Sequence, residues 1–259
     1  MKLDKRTALL TGAARGIGKA IAREFSREGA AVVLTDVDSE ALRSAAEEIA
    51  AETGGKVLER SMDVTDFESI RSVVEGVTKR FGRLDILVNN AAVNAKGWVK
   101  DLPIETWKRV IEVNLTGQFL CCKAVLPQMM RQNYGRIINI DSIAGKQGES
   151  AGSAYCSSKF GVIGLTQCLA LEVAGNNILV NAVCPGPIPT ELGELGIRQD
   201  AQLRGLSMDE FRNWFIQRTP FKRQGTPEQV ARMCLFVASD DCDFTTGSAF
   251  NVNGGIIMH

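Results

Sequence analysis

Residues 11–18 read TGAARGIG, between the apolar run TALL (7–10) and KAIAREFSREG (19–29). Glycine loses more backbone freedom on folding than any other residue, so Gly12, Gly16 and Gly18 need a reason to stand so close together. A strand, a glycine turn and a helix start make an anion site. The free N–H groups of the helix's first turn and the helix dipole favour a pyrophosphate. Missing side chains let phosphate reach the backbone and let the helix pack on the strand. The spacing here is G-x-x-x-G-x-G rather than G-x-G-x-x-G, and read alone it suits a structural turn as well as a nucleotide site.

Outward from this turn, strand-like and helix-like stretches alternate. AAVVLTD (30–36), KVLERSMDV (56–64), LDILVNNA (84–91), GRIINIDS (135–142), ILVNAVCPG (178–186) and GSAFNVNGG (247–255) read as strands. AVVL, DILV and RIINI are nearly unbroken apolar runs, as in strands covered on both faces. Helices are predicted between them. One starts at a Thr65/Glu68 capping box, and a long one spans residues 104–132 with Pro127 bending its last part. Another starts at Thr226-Pro227-Glu228-Gln229. This order predicts an α/β fold: one doubly wound parallel sheet with helices on both faces, in a single domain over 1–259. The one irregular region, Pro185 to Gln224, is expected to hold a lid at about 187–224. Within it Ser207 and Glu210 form a capping box, so MDEFRNWFIQR reads as a helix with Phe211, Trp214 and Phe215 on one side.

Composition narrows the function. Thirty basic residues cancel thirty acidic ones, which gives no electrostatic footprint for nucleic acid or an anionic membrane. No apolar run approaches the ~20 residues of a membrane span, and MKLDKRTALL is not expected to act as a signal peptide. The seven cysteines are odd in number and contain no C-x-x-C pair, which argues against disulfides or zinc and suits a reducing cytoplasm. The only histidine is His259, so Ser-His-Asp catalysis and His-rich metal sites are excluded; no metal is expected. Asp36 ends the second strand, where a carboxylate accepts from both ribose hydroxyls of an adenosine and repels a 2′-phosphate. That favours NAD over NADP, although Arg15 in the turn could assist a 2′-phosphate.

With these residues in view the chain resembles the short-chain dehydrogenase/reductase family. TGAARGIG resembles its T-G-x-x-x-G-x-G turn, and NNAA (89–92) its N-N-A-G segment. Asp63-Val64 resembles the pair facing the adenine, and PGPIPT (185–190) the segment holding the nicotinamide carboxamide. Asn114, Ser142, Tyr155 and Lys159 resemble its catalytic tetrad. Asp141 stands where a serine is common, Asn253 where an aspartate is usual, and Ala92 where glycine is. Asp141 is expected either to alter substrate choice or to face away along the strand, and alternation favours the second, since Ser142 must point at the pocket. The resemblance implies a Rossmann-like fold and a cofactor site of Gly12, Arg15, Gly16, Ile17, Gly18, Asp36, Asp63, Val64, Asn90, Ala91, Tyr155, Lys159, Pro185, Gly186, Ile188 and Thr190.

The implied reaction moves a hydride between a C–OH carbon and C4 of nicotinamide, with Tyr155 taking or giving the hydroxyl proton. An unperturbed phenol titrates near ~10, too high for a base at neutral pH. Lys159, one helical turn on, is expected to depress it together with the charge of oxidised nicotinamide. The resemblance implies that Lys159 also binds the nicotinamide ribose, Ser142 places the substrate oxygen and Asn114 holds a relay water.

The lid and FNVNGGIIMH look similar to the family's sugar-alcohol dehydrogenases, which act on free or phosphorylated polyols. Asn94, Lys96, Gln147, Glu149 and Ser153 are candidates for the hydroxyl contacts; the lid's Arg198, Arg204, Arg212, Arg218, Lys222 and Arg223 read mainly as a solvated face, with one or two as candidates to bind a phosphate or carboxylate on the substrate. The rival enzyme is an NADPH-dependent 3-oxoacyl thioester reductase, for which Asp36 is unsuited. An inactive NAD sensor or a structural oligomer leaves the tetrad unexplained. Family members are commonly tetramers, and Leu120, Val125, Phe160, Ile163 and Leu169 are the candidate interface.

Overall fold

A computed structural model describes residues 1–259. The chain runs β1 (Thr7–Thr11), α1 (Gly16–Arg27), β2 (Ala31–Asp36), α2 (Ser39–Thr53), β3 (Val57–Ser61), α3 (Phe67–Phe81) and β4 (Ile86–Asn89). It continues with α4 (Ile104–Ile111), α5 (Gly117–Arg131), β5 (Gly135–Ile140), α6 (Ser153–Val173) and β6 (Ile178–Pro185). It ends with α7 (Glu191–Arg204), α8 (Met208–Gln217), α9 (Pro227–Ala238) and β7 (Ala249–Val252). The seven strands form one parallel sheet ordered β3-β2-β1-β4-β5-β6-β7. This is the doubly wound, Rossmann-like arrangement expected.

Strand alternation divides the core. Ala8, Leu10, Val32, Leu34, Ile86 and Val88 point to a layer closed by α1, α2 and α9. Leu9, Val33, Leu87, Ile137 and Val180 point to the opposite layer, closed by α3, α5 and α6. β1 lies between β2 and β4, with Leu9 opposite both Val33 and Leu87. The chain therefore reverses its direction of travel across the sheet at this point, which opens a crevice at the strands' C-terminal ends.

Three elements differ from the sequence reading. Thr65 does not cap α3: its hydroxyl and its N–H donate to Asp63, and Asp66 caps the helix through Glu68 N–H. An aspartate nearer the first turn takes the cap, and the Thr65–Glu68 spacing is coincidental. The long helix is broken: residues Glu112–Thr116 form a π turn between α4 and α5, and α5 runs on through Pro127. The region read as irregular contains a full helix, α7. Thr190 caps it by accepting from Gly193 N–H, and its 14 residues were hidden by two glycines, Gly193 and Gly196, and by a composition rich in charge and weak in apolar periodicity. The two other capping boxes, Ser207/Glu210 on α8 and Thr226/Gln229 on α9, form as read.

Candidate active site

The glycines answer for themselves. Gly12 and Gly16 lie in the left-handed region, at φ +60° and +55°. A Cβ on Gly12 would stand 2.7 Å from Ala91 Cα. Gly18 has no unusual φ, but a Cβ there would meet Asn90 Nδ2 at 2.6 Å. Asn90 is the clamp: its amide donates to the carbonyls of Thr11 (3.1 Å) and Gly12 (2.8 Å). Thr11 Oγ1 accepts in return from the N–H groups of Asn90 (2.9 Å) and Ala91 (3.0 Å). Asn90 and Ala91 thus fix the turn onto β4, and Thr11 is a site residue the sequence reading passed over. Its signal was a polar β-branched residue at the end of an otherwise apolar strand.

No side chain caps α1, and its first turn carries no acid, so its N–H groups are available to an anion. Asp36 accepts from Ala14 N–H (3.3 Å) and Asp38 N–H (3.1 Å), which fixes its carboxylate beside the turn. Arg15 is held by two carboxylates, Asp38 and Glu191. These features fit a dinucleotide. Asp63 has its carboxyl held below the usual range, first by Thr65 N–H. Val64 is buried against Gly117. Both lie beyond β3, away from the main cavity.

That cavity, about 450 Å³, opens beside the C-terminal ends of β4, β5 and β6. Ile17, Asn90, Ser142, Tyr155, Lys159, Pro185, Gly186, Ile188 and Thr190 all border it. β5 ends just before Ser142, whose hydroxyl accepts from Ala144 N–H at 3.1 Å. α6 carries Tyr155 and Lys159 on one face, with Lys159 Nζ 5.7 Å from the phenol ring centre. Lys159 is fully enclosed and donates to Ile140 O at 2.8 Å. Asn114 stands behind the cavity, at the centre of the π turn. Its Nδ2 donates to Val93 O (2.9 Å) and Ser158 Oγ (3.1 Å), and its Oδ1 accepts from Val93 N–H (2.8 Å). Both amide hydrogens are therefore spent, and Oδ1 keeps one lone pair.

Electrostatics corrects one expectation. Burial first, and then the Asp141 charge, push the Tyr155 phenol above its ordinary value; the Ser142 hydrogen bond pulls the other way. Burial lowers Lys159, while Asp141 and Cys184 oppose it. The protein's own fixed charges do not depress the phenol. Asp141 is not idle either. It is buried against Gly145, Cys184 Sγ donates to it at 3.5 Å, and its Oδ1 has no partner. Burial pushes its carboxyl up to about 6 despite the neighbouring Lys159.

Asn253 explains its own departure from the expected aspartate. Its Oδ1 accepts from Gly255 N–H and its Nδ2 donates to Ile257 O, both at 3.0 Å; a carboxylate could not donate. Ile256 and Ile257 thereby reach the cavity wall. Of the polyol candidates, Asn94, Lys96, Gln147 and Glu149 line the cavity, and Ser153 does not. Phe211, Trp214 and Phe215 line it too, with Phe211 packed on Ile197 and Ala201 of α7. The arginines of this region are mostly committed: Arg204 to Asp200, Arg212 to Glu194 and Asp209, and Arg218 over the Trp214 ring. The described structure has no cluster of metal-ligating side chains and no helix long and apolar enough to cross a membrane. All seven cysteines are free, and all but Cys168 are buried.

A family model described as "Enoyl-(Acyl carrier protein) reductase" matches residues 12–257. The chain is 40% identical over 258 residues to a 3-oxoacyl-[acyl-carrier-protein] reductase of Thermotoga maritima, with 100% of each chain covered. Among solved structures it is similar to an NAD+-bound xylitol dehydrogenase, with a TM-score of 0.95 and 35% identity, covering 98% of this chain and 100% of that one. It is also similar to an actinorhodin polyketide ketoreductase variant with NADPH, with a TM-score of 0.93 and 37% identity over 97% of each chain.

Proposed function

Since the chain belongs to the short-chain dehydrogenase/reductase family, and so to oxidoreductases of hydroxyl and keto groups, we propose that it is an NAD-dependent dehydrogenase of sugar alcohols, free or phosphorylated. The observation that carries the cofactor choice is the pairing of Arg15. With its guanidinium held by Asp38 and Glu191, Arg15 is not free to receive a 2′-phosphate, while the Asp36 carboxylate is held beside the turn by two N–H groups and keeps lone pairs for ribose hydroxyls. Hydrogen bonds from ribose hydroxyls suit that carboxylate, and a 2′-phosphate is repelled by it.

Bound NAD supplies the hydride acceptor at C4 and, when oxidised, a positive charge near the phenol. The α1 turn would hold its pyrophosphate, Asp63 and Val64 would flank its adenine, and Pro185, Gly186, Ile188 and Thr190 would border its nicotinamide. Ser142 donates to the substrate oxygen and holds it against Tyr155. In alcohol oxidation the hydroxyl proton passes to the Tyr155 phenolate; in ketone reduction Tyr155 returns it. Lys159, fixed by the Ile140 carbonyl, positions the ribose and carries the proton onward. The remaining lone pair of Asn114 Oδ1 accepts from the water that links Lys159 to solvent. α7 and α8 form the lid over the substrate, within a single domain. The exposed Phe160 and Phe119 suit a homotetramer packed through α5 and α6. Val125 and Leu169 belong to the core and are withdrawn from that interface. Six buried free thiols suit the cytoplasm.

The second reading, reduction of a 3-oxoacyl thioester, is favoured by the Thermotoga maritima relative. Against it, two of the lid's basic residues that could meet an acidic carrier protein, Arg204 and Arg212, are paired with acids, and Arg218 lies over the Trp214 ring. Initial rates of NAD and NADP reduction with free polyols, phosphorylated polyols and simple secondary alcohols test the proposal. Rapid NAD reduction by a polyol supports it. Silence across the panel, with NADPH-dependent reduction of an acetoacetyl thioester, replaces it with the second reading.

A further inference from the structure

The substrate end of the cavity contains a buried ionic cluster drawn from three separate segments. Lys96, in the loop after β4, has a side chain 5% exposed. Its Nζ meets Glu149 Oε2 at 2.6 Å, from the loop before α6, and Asp200 Oδ2 at 3.1 Å, from α7. Asp200 is 9% exposed in its side chain and also faces Arg204 at 3.4 Å, near the rim. All four residues border the cavity that holds Ser142 and Tyr155. The Asn94 side chain reaches the same wall, and its Oδ1 is buried with no hydrogen-bond partner. With Arg204 the four charges cancel, but Arg204 sits near the rim, 31% exposed in its side chain, and the enclosed Lys96, Glu149 and Asp200 carry a net charge of minus one. Two of the three Lys96 N–H bonds are spent on carboxylates, and the wall is left rich in acceptors. An unpaired buried acceptor is costly, so a ligand that donates to it gains.

We propose that Lys96, Glu149, Asp200 and Asn94 form the specificity wall of the site, which admits neutral hydroxylated substrates and rejects their carboxylate counterparts. The proposal rests on the polyol reading and narrows it to free, uncharged polyols. A substrate hydroxyl donates to Asn94 Oδ1 and to the Glu149 oxygen that Lys96 leaves free; a carboxylate offers no hydrogen there and meets like charge. The same logic makes Lys96 a spacer between two acids rather than an anion receptor. The Glu149 charge is near enough to raise the Tyr155 phenol, so the wall acts at the reacting end of the cavity.

A matched pair of probes tests this. 1,3-Butanediol and 3-hydroxybutyrate share a secondary alcohol and a methyl group, and differ in ending as CH2OH or COO−. The ratio of their kcat/KM values with NAD is expected to favour the diol by at least about tenfold, equivalent to about 1.4 kcal/mol. Glu149→Gln and Asp200→Asn, each removing one negative charge without changing shape, are expected to move the ratio toward the acid by about tenfold. Glu149→Asp, which keeps the charge, is expected to leave it near the wild-type value. If neither probe nor any polyol is oxidised, the polyol reading falls. The same ratio is then read from the dissociation constants of the two probes on NAD-loaded protein by quenching of tryptophan fluorescence, since Trp214 lines the cavity. Wild-type protein that takes the acid as well as the diol overturns the proposal whether or not the variants fold. So does a ratio that Glu149→Gln and Asp200→Asn leave within twofold.

Discussion

Tyr155, Asp36 and Asp141 each place one chemical commitment at one side chain. Tyr155→Phe is expected to lower kcat/KM by roughly 10²–10⁴-fold while NAD titration by calorimetry is unchanged, because only the proton-transferring oxygen is lost. Asp36→Ala is expected to reduce the ratio of kcat/KM with NAD to that with NADP by at least about tenfold; an unchanged ratio removes Asp36 from the ribose. Asp141 carries a pH dependence. Its carboxyl lies at about 6 in the folded chain, against an ordinary 3.8. Between those values the folded protein holds a proton that the unfolded chain has released, so stability falls as pH rises through this window. The full penalty, up to about 3 kcal/mol, stands above pH 6. Asp141→Asn is expected to flatten that slope, as read by urea unfolding at pH 4.5 and 7.5. The buried, half-unpaired state of this carboxylate was not legible in the sequence. Alternation says that Asp141 turns from Ser142, but only the tertiary fold brings Cys184 and Gly145 against it.

Helix caps show how local chemistry sets the elements around the site. Thr226 accepts from Gln229 N–H while the Gln229 side chain reaches back to Thr226 N–H. Thr226→Ala is expected to cost about 1 kcal/mol and to lower Tm by roughly 2–4 °C by calorimetry, with cofactor preference untouched. Caps of this kind were readable at residues 207–210 and 226–229 because the residue types and the spacing both fit a short-range rule. At 65–68 the same spacing misled, since Asp66 competes for the same N–H groups. The π turn at Glu112–Thr116 had no local signal. Helix propensity is indifferent to one extra residue in a turn, and the turn exists because Asn114 is held by Val93 and Ser158, which are remote in sequence. The proposed tetrad was legible through the family resemblance, with Ser142 just past the apolar strand β5 and Tyr155 and Lys159 four residues apart on α6. The wall of Lys96, Glu149 and Asp200 was legible only in part, since nothing near Asp200 in the chain points to Lys96.

Across the whole molecule, the one sheet has its apolar residues sorted strictly to two sides, and large apolar side chains remain outside. Phe160 and Phe119 are each nearly half exposed on α6 and α5. Light scattering on an eluting column is expected to give four times the 28.1 kDa chain mass, and Phe160→Glu is expected to give a smaller species. A wild-type mass of one chain would leave those side chains without the proposed partner.

The strand order also has a hereditary meaning. The strands on one side of β1, β2 and β3, precede β4 in the chain, and the other side is made of β4 itself and the strands that follow it. The proposed adenosine contacts are thus written almost wholly in the first third of the gene, and the reacting groups and specificity wall in the remainder. A single crossover in the segment before β4 would exchange one set and keep the other. Preference for one coenzyme and choice of alcohol can then be inherited from different parents, and lineages sharing this sheet can drift in each without disturbing the other.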